Sequence, residues 1–352
     1  MNKFLRALAI SLTAVCTLSM LGGCGGGGGS EKSTLRVYNW GDYIDPEVLD
    51  AFKADNPDID VIYDTFDSNE TMLAKLDGGS QYDVLFPSDY MVERLIAEDK
   101  LAKLDLSQIP NYANIDDKFK DLDYDPENAY SVPYTFGTLG ILYDTTKVTE
   151  PVDSWGILFD EKYKGQIVMY DSVRDSMAVA LKYLGSSCNE RDAAKVQAAG
   201  DLLKKQKPLV QSYQTDLVKE TMISGSAALA VVYAGDAVLC MDENEDLAYV
   251  VPKEGSNYFV DAVVVSKTCE NMDAAYRFIN YLCDVEVAAK NCEYIGYSTP
   301  SSAALQKMGE EYMENPAYNP DDQTLANCEI YWDLGEMTET YNKIWENVRY
   351  GN

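Results

Sequence analysis

Five segments that follow predicted strands each combine an aromatic residue with a carboxylate. They lie at residues 39–43, 87–90, 170–175, 233–236 and 259–261. Carboxylates give an alkyl ammonium group charge-assisted hydrogen bonds, while aromatic rings attract its charge and cover its methylene groups. Carboxylates buried in a cleft without a cation would be costly. The residue types therefore indicate a site for a small cationic molecule.

Each of these residues also has an ordinary structural explanation. The chain contains 26 tyrosines, and an aspartate at a strand end commonly caps the next helix. Asp42 and Asp89 are candidates for such capping, whereas Trp40, Tyr43 and Tyr90 are candidates for core packing. Binding is favoured because the same pairing recurs at five strand ends.

The elements that must position these segments alternate between strands and helices. Apolar residues at helical spacing predict helices at 46–54, 71–76 and 91–97. β-Rich stretches predict strands at 35–40, 60–66, 83–87, 140–143, 167–170, 209–213, 227–233, 248–251 and 259–266. This alternation predicts an open α/β fold, and two sheets fit the length. In such sheets ligands bind at the carboxyl ends of strands, which is where the five segments lie.

Length and composition narrow the possible functions. The 352 residues are 46% hydrophobic, enough for two domains with proper cores. With 29 Lys and Arg against 58 Asp and Glu, the formal net charge is −29, which disfavours nucleic acid and anionic membrane surfaces and attracts cations. The absence of histidine excludes Ser-His-Asp and Cys-His catalysis and His-ligated zinc.

The amino terminus has the pattern of an export signal. Lys3 and Arg6 precede an apolar run that ends at residue 21. The run leads into Cys24, in a context that resembles the lipobox of bacterial lipoproteins. We expect residues 1–23 to be a signal peptide, Cys24 to be lipidated, and residues 24–32 to be a glycine-rich tether. The protein is thus expected outside the cell, anchored by lipid to the outer face of the bacterial membrane, or in the periplasmic space of a Gram-negative cell.

The remaining cysteines leave their chemistry open. Six follow Cys24, at positions 188, 240, 269, 283, 292 and 328, with no C-x-x-C pair among them. They are either disulfide partners or small buried apolar residues, and their connectivity does not follow from the sequence. Neither a metal nor a cofactor is predicted.

An ordered series of motifs resembles a known family. The first part of the series is YNWGDYI at 38–44, DSNETM at 67–72 and PSDY at 87–90. It continues with PYTFGT at 133–138, DSVRD at 171–175 and IGYSTP at 295–300. Together they cover essentially the whole chain after the tether, and they are similar to the spermidine/putrescine-binding proteins of polyamine ABC importers. A lipid-anchored version would suit a Gram-positive cell, which has no outer membrane.

The resemblance implies a fold and a mode of action. The fold would be the two-lobe, type II periplasmic-binding-protein fold, with a hinge and interleaved lobes. Lobe 1 would take residues 33–138 and 260–307, and lobe 2 would take 139–259 and 308–352. The protein would trap a polyamine between the lobes as they close and present it to the permease subunits of the importer. It would be a monomer without enzymatic activity.

The resemblance also assigns site residues. Trp40 and Tyr43 would flank the polyamine, with Ser88 and Tyr90 on the same lobe. Asp175 stands where the family has an amine-binding glutamate, Asp261 matches an amine-binding aspartate, and Tyr297 would lie on the methylene chain. Tyr233 and Phe259 replace tryptophans, and Asp171 is adjacent to Ser172, which replaces an aspartate. Asp42 replaces a glutamate and either reaches the distal amine or faces solvent. These replacements leave the preferred polyamine length open.

Three other functions fit parts of the pattern. A binding protein of the same fold could take a sugar, a ferric ion or a quaternary amine, although these strand ends lack the Asn, Gln, Arg and Lys donors usual for sugars. A glycosidase would use paired carboxylates, which are too common in this chain to be informative. A surface adhesin or structural lipoprotein would have no closed cleft.

Overall fold

The computed structural model of the protein describes residues 32–351. The predicted signal peptide, the lipidation site Cys24 and the tether up to residue 31 lie outside these residues. Nine strands are present in the described range: β1 (Ser33–Trp40), β2 (Ile59–Phe66), β3 (Val84–Leu85), β4 (Ser131–Asp144), β5 (Ile167–Tyr170), β6 (Val210–Gln214), β7 (Leu229–Tyr233), β8 (Leu247–Val250) and β9 (Tyr258–Val265).

Thirteen α-helices accompany the strands in the same range. They are α1 (Pro46–Asp55), α2 (Asn69–Asp77), α3 (Asp89–Ala97), α4 (Val173–Tyr183), α5 (Ala193–Gln206), α6 (Val218–Ile223), α7 (Ala234–Glu243), α8 (Met272–Leu282), α9 (Val285–Ile295), α10 (Ser302–Met308), α11 (Glu310–Glu314), α12 (Asp322–Ala326) and α13 (Met337–Tyr350). Short 3-10 helices lie between α3 and β4, between β4 and β5, and before β6. The mixed α/β fold predicted from the sequence is confirmed.

The strands form two groups of parallel strands joined by antiparallel ones. β1 pairs in parallel with β2 and β3, and β5 pairs in parallel with β6 and β7. The hydrogen-bonded order is β2-β1-β3-β9-β4-β7-β5-β6, with β8 also paired to β4. The sequence predicts two sheets. Instead, the two groups of strands form one continuous sheet, because β4 belongs to both groups.

β4 joins the groups because of its length and its changing partners. Its 14 residues pair with β9 along the first part and with β7 and β8 along the second part. The sequence predicted only residues 140–143 as a strand, because Pro133 and Gly137 interrupt the β-rich pattern before them. Burial on both faces selects the extended conformation for the whole segment.

Capping residues set several helix starts near the strand ends. Asp45 Oδ1 accepts from the backbone N–H of Glu47 at the start of α1, and Ser68 Oγ accepts from Thr71 N–H at the start of α2. At α4, Ser172 Oγ accepts from Asp175 N–H at 3.4 Å. Such caps satisfy N–H groups that have no partner within the helix.

Two large apolar cores lie on either side of the β4–β9 junction. The first is built from residues 35–136 and 260–295, and the second from residues 139–231 and 334–348. A smaller cluster joins α7 to α9 and α10. The predicted lobe boundaries, at 138/139 and 259/260, stay a prediction; they fall between the two large cores.

Candidate functional site

Asp261 is a buried carboxylate whose two oxygens are treated differently. Asp261 is 5% exposed, and its Oδ2 accepts a hydrogen bond of 2.6 Å from the Tyr43 hydroxyl. Because Tyr43 donates to Asp261, the Thr135 hydroxyl donates to Tyr43, also at 2.6 Å. Oδ1 of Asp261 is buried and has no hydrogen-bond partner among residues 32–351. An oxygen in this state would be satisfied by a donor or cation from outside the chain.

Burial also changes the acidity of Asp261. It raises the pKa of this carboxyl to about 6, although the side chains of Tyr43 and Ser88 both lower it. Near neutral pH the group is therefore mostly ionised and poorly solvated, a state that a nearby positive charge stabilises.

The pairing of β4 with β9 sets the position of Asp261. The register shifts between Pro133 and Thr135, so that Thr135 comes opposite Asp261. Such a bulge re-aims side chains next to functional sites. Tyr134, at the shift, donates its hydroxyl to the Tyr43 carbonyl oxygen at 2.6 Å, which fixes the loop after β1. Ser88 forms an isolated bridge with Asp261 from the other side.

Asp175 is a second buried carboxylate, in the first turn of α4. It is 3% exposed, and its Oδ1 accepts hydrogen bonds from the hydroxyls of Tyr233, at 2.8 Å, and Tyr331, at 3.0 Å. Burial raises the pKa of Asp175, and these hydrogen bonds oppose the shift. Arg174 packs its guanidinium 4.3 Å from the centroid of the Tyr331 ring.

A row of four aromatic rings connects the two carboxylates. It starts at Tyr43, continues through Tyr297 and Phe259, and ends at Tyr233, with centroid separations of 5.3, 5.8 and 5.2 Å. All three contacts are edge-to-face, a favourable arrangement for aromatic pairs. Its two end rings donate hydrogen bonds to Asp261 and Asp175 respectively.

Two glycines allow this row to form. A Cβ atom at Gly235 would lie 2.5 Å from the Tyr297 ring, and one at Gly137 would lie 2.9 Å from the Phe259 ring. Side chains at either position would displace the rings.

Trp40 is the last residue of β1, Ser88 directly precedes α3, and Tyr90 lies in the first turn of α3. The Trp40 indole N–H donates to the Phe86 carbonyl at 2.7 Å, and its partly exposed ring contacts Phe66. Ser88 N–H donates to Asn69 Oδ1 at 3.2 Å. Tyr90 donates its hydroxyl to Glu70 at 3.0 Å, and its ring lies 6.5 Å from that of Tyr331.

Two predicted site residues are placed differently from these. Asp171 does not contact the row of rings; its carboxylate pairs with Arg349 on α13. Asp42 is exposed and has a left-handed backbone, with φ of 48°, in the turn after β1. Asp89 is fully buried and accepts from the backbone N–H groups of Tyr90 and Val260, which is a structural role.

Sequence reasoning missed Thr135 and Tyr331. Neither lies at the carboxyl end of a strand: Thr135 is inside β4, and Tyr331 is in the loop between α12 and α13. The one available signal was composition, since the loop around Tyr331 also combines aromatics with carboxylates.

Other kinds of site receive no support in the described part of the chain. No group of three or more Cys, Asp or Glu side chains there is arranged to hold a metal ion. None of its helices has the length and apolar character needed to cross a membrane. The six cysteines between residues 188 and 328 are all unpaired in this part of the chain, and four of them are buried.

Comparison with known proteins places these features in a family. Residues 47–320 match the bacterial extracellular solute-binding proteins. The spermidine/putrescine-binding periplasmic protein of Salmonella typhimurium is 33% identical over 92% of this chain and 93% of its own length. The spermidine/putrescine transporter substrate-binding protein PotD of Streptococcus pneumoniae has a TM-score of 0.81 at 39% identity, covering 90% of this chain and 99% of that one.

A third comparison comes from a spirochaete. The Tp0655 (TpPotD) lipoprotein of Treponema pallidum has a TM-score of 0.83 at 27% identity and covers 90% of this chain and 100% of its own. The structural agreement over these lengths confirms the predicted periplasmic-binding-protein fold.

Proposed function

Since the chain belongs to the bacterial extracellular solute-binding proteins, we propose that it is the substrate-binding component of an ABC importer for polyamines such as putrescine and spermidine. The guest binds between the two large cores and is delivered to the permease subunits without any covalent step. Support comes both from relatives named for these ligands and from the chemistry of the site.

One observation carries the proposal from the structure itself. Two buried carboxylates, Asp261 and Asp175, are joined by four aromatic rings, and Asp261 keeps a buried oxygen without a partner. An α,ω-diammonium chain suits this arrangement, because each charged end meets a carboxylate and the methylene groups meet rings. Each charge-assisted hydrogen bond contributes about 1.5–3 kcal/mol, enough in combination for micromolar binding.

The roles of the individual residues follow from this pose. Asp261 and Asp175 bind the ammonium groups, and Tyr43, Tyr233, Phe259 and Tyr297 cover the chain. Tyr331 and Thr135 are positioning residues, because they act through Asp175 and Tyr43. Trp40, Ser88 and Tyr90 line the flank of the guest, and Asp171 is assigned to its ion pair with Arg349 rather than to the guest.

Capture depends on closure of two lobes. In the open form, the strongly negative protein attracts polycations from solution. Closure then makes contacts between elements of the two cores, such as the hydrogen bond of 2.9 Å from Asp333 N–H to Glu93 on α3. A guest that bridges the carboxylates favours the closed form, which the permease recognises.

The location proposed for the protein is the outer face of the cell membrane. Cys24 carries the lipid, and the glycine tether keeps the binding domain away from the bilayer. The protein acts as a monomer. The Treponema pallidum protein that shares this fold is named as a lipoprotein. Mass spectrometry of the membrane fraction tests this: a diacylglyceryl group on Cys24 is expected, and an unmodified mature terminus would contradict it.

Calorimetric titration tests the binding function. Protein comprising residues 32–352, which form one compact unit, is unfolded and refolded to remove carried-over ligand. It is then titrated with putrescine, cadaverine, spermidine and spermine at physiological salt. One-to-one binding of at least one of them in the micromolar range or tighter is expected. Folded protein that binds none of the four would refute the proposal.

A further inference from the structure

Lys219 is a positive charge placed among carboxylates at one end of the proposed cleft. It lies in the first turn of α6, and its Nζ is 3.4 Å from Asp236 Oδ1 in the first turn of α7. Both side chains are largely covered, with 26% and 15% of their surfaces exposed. The pair is therefore more than a solvated surface contact.

The topology explains why these residues meet. β6 and β7 both run parallel to β5, so their carboxyl ends lie at the same edge of the sheet. α6 and α7 start just after those ends, at residues 218 and 234. Gly235, the residue before Asp236, lies against the Tyr297 ring. The Lys219–Asp236 pair is thus adjacent to the row of rings.

Two further carboxylates act electrostatically on the same ammonium group. Burial lowers the pKa of Lys219, but the negative charges of Asp236, Asp216 and Asp42 outweigh it and raise the pKa. Asp216 follows β6, whereas Asp42 follows β1 on the other core. Lys219 is therefore charged and lies near the line where the two cores meet.

The buried carboxylates of the proposed cleft differ in whether a positive side chain of the protein pairs with them. In the described part of the chain, neither Asp261 nor Asp175 forms an ion pair, although the charge of Arg174 lowers the pKa of Asp175. Asp236, in contrast, is paired with Lys219. A guest ammonium that approached Asp236 would meet a like charge already in place, which is unfavourable in a poorly solvated site.

We infer that Lys219 acts as a built-in cation that limits the cleft to guests with two ammonium groups. The inference rests on the proposed polyamine-binding function and specifies its ligand: a diamine of putrescine type is preferred over a triamine of spermidine type. Lys219 is accordingly a specificity-determining residue, because it excludes a third ammonium rather than contacting the first two.

The test compares ligand preference in matched variants of the mature chain, residues 24–352. Putrescine and spermidine are titrated into the wild type, Lys219→Met, Lys219→Gln and Lys162→Met at equal ionic strength, with melting temperatures recorded. Lys162 pairs with Glu150 at 2.6 Å on the surface, so its replacement makes the same change in net charge away from the cleft. Lys219→Gln serves if the apolar substitution does not fold.

The wild type is expected to bind putrescine more tightly than spermidine. Loss of the Lys219 charge should lower the ratio of the spermidine Kd to the putrescine Kd at least tenfold, while Lys162→Met leaves that ratio unchanged. An unchanged ratio in both Lys219 variants, or a wild type that prefers spermidine, overturns the inference and leaves the proposed function intact. Folded wild type that binds neither ligand overturns both.

Discussion

The Tyr43 hydroxyl donates to Oδ2 of Asp261 across 2.6 Å and leaves Oδ1 of the same carboxylate buried and without a partner. A carboxylate that only stabilised the fold would use both oxygens, as Asp125 does with the backbone N–H groups of residues 129–131. Under the proposed function, this contrast distinguishes a structural aspartate, Asp125, from a ligand-binding one, Asp261.

Replacement of Asp261 by asparagine should weaken binding and stabilise the ligand-free protein. Polyamine affinity is expected to fall at least tenfold, because one ammonium loses its charged partner. At pH 7 the variant no longer buries a charge, and the rise of the Asp261 pKa from 3.8 to about 6 corresponds to about 3 kcal/mol of relieved cost. Calorimetry and denaturant unfolding measure the two effects.

Asp125→Asn is the matched control for this variant. Asp125 is also buried, but in the asparagine variant the amide nitrogen would face a backbone N–H donor. The free energy of unfolding should therefore fall, while the folded protein keeps its polyamine affinity. If Asp261→Asn behaved in the same way as Asp125→Asn, the assignment of Asp261 to the binding site would be wrong.

Polyamine affinity should depend on pH because the Asp261 pKa is raised. The guest binds the ionised carboxylate, so a pKa of about 6 predicts that affinity falls about tenfold between pH 7.5 and pH 5. The raised pKa of Asp175 acts in the same direction. Titrations across this range, in buffers of constant ionic strength, measure the slope.

The stability of the ligand-free protein should show the opposite trend. The folded state binds the Asp261 proton more tightly than the unfolded state, so this group's contribution to stability is lost as pH rises from about 4 to about 6. In Asp261→Asn both slopes should be shallower. A wild-type affinity that is constant from pH 5 to pH 7.5 would contradict the predicted coupling.

Much of the fold could be predicted because local pattern and tertiary structure agree. The predicted strand at 167–170 matches β5, and the predicted helix at 46–54 differs from α1 by one residue. β4 was underestimated because proline and glycine mask its pattern, and its extended form depends on neighbours that are distant in sequence. A local pattern does not encode such partners.

The candidate site was predictable to the extent that it lies at strand ends. Trp40 and Tyr233 are the last residues of β1 and β7, and Tyr43 and Asp175 follow β1 and β5. The general rule for α/β sheets directs attention to these positions. The expectation that residues 259–261 lie at the carboxyl end of a strand was wrong, because Phe259 and Asp261 are near the start of β9. The rule for strand ends therefore does not account for these two residues. Nor does it apply to Tyr331, which reaches Asp175 from a loop 156 residues away.

Tyr331→Phe should weaken polyamine binding through Asp175. The substitution keeps the ring but removes one of the two hydroxyls that donate to Oδ1, so the ionised form of Asp175 loses stabilisation and its pKa rises further. A hydrogen bond to a charged group contributes about 1.5–3 kcal/mol, so a loss of affinity of roughly tenfold or more is expected.

Tyr213→Phe provides the control for this effect. The Tyr213 hydroxyl is buried without a hydrogen-bond partner in residues 32–351, and the residue packs against Trp345 in the second core. Its removal should leave affinity unchanged. The pH profile distinguishes a positioning role from simple loss of packing: in Tyr331→Phe the fall in affinity should begin at a higher pH than in the wild type. An identical profile would show that Tyr331 does not act through Asp175.

Replacement of Trp40 should separate a ligand contact from a packing contact. The Trp40 indole N–H bonds the Phe86 carbonyl and its ring is partly exposed beside the site, whereas Trp155 makes the same kind of bond to Gly255 in the fully buried second core. We expect Trp40→Ala to weaken polyamine binding at least tenfold, since an aromatic face against a desolvated ammonium contributes about 2 kcal/mol.

Trp155→Phe should lower the melting temperature and leave the affinity of the folded protein unchanged. If Trp40→Ala also changed only the melting temperature, the ring would be a core residue, and the flank of the guest would have to be formed by Ser88 and Tyr90 alone.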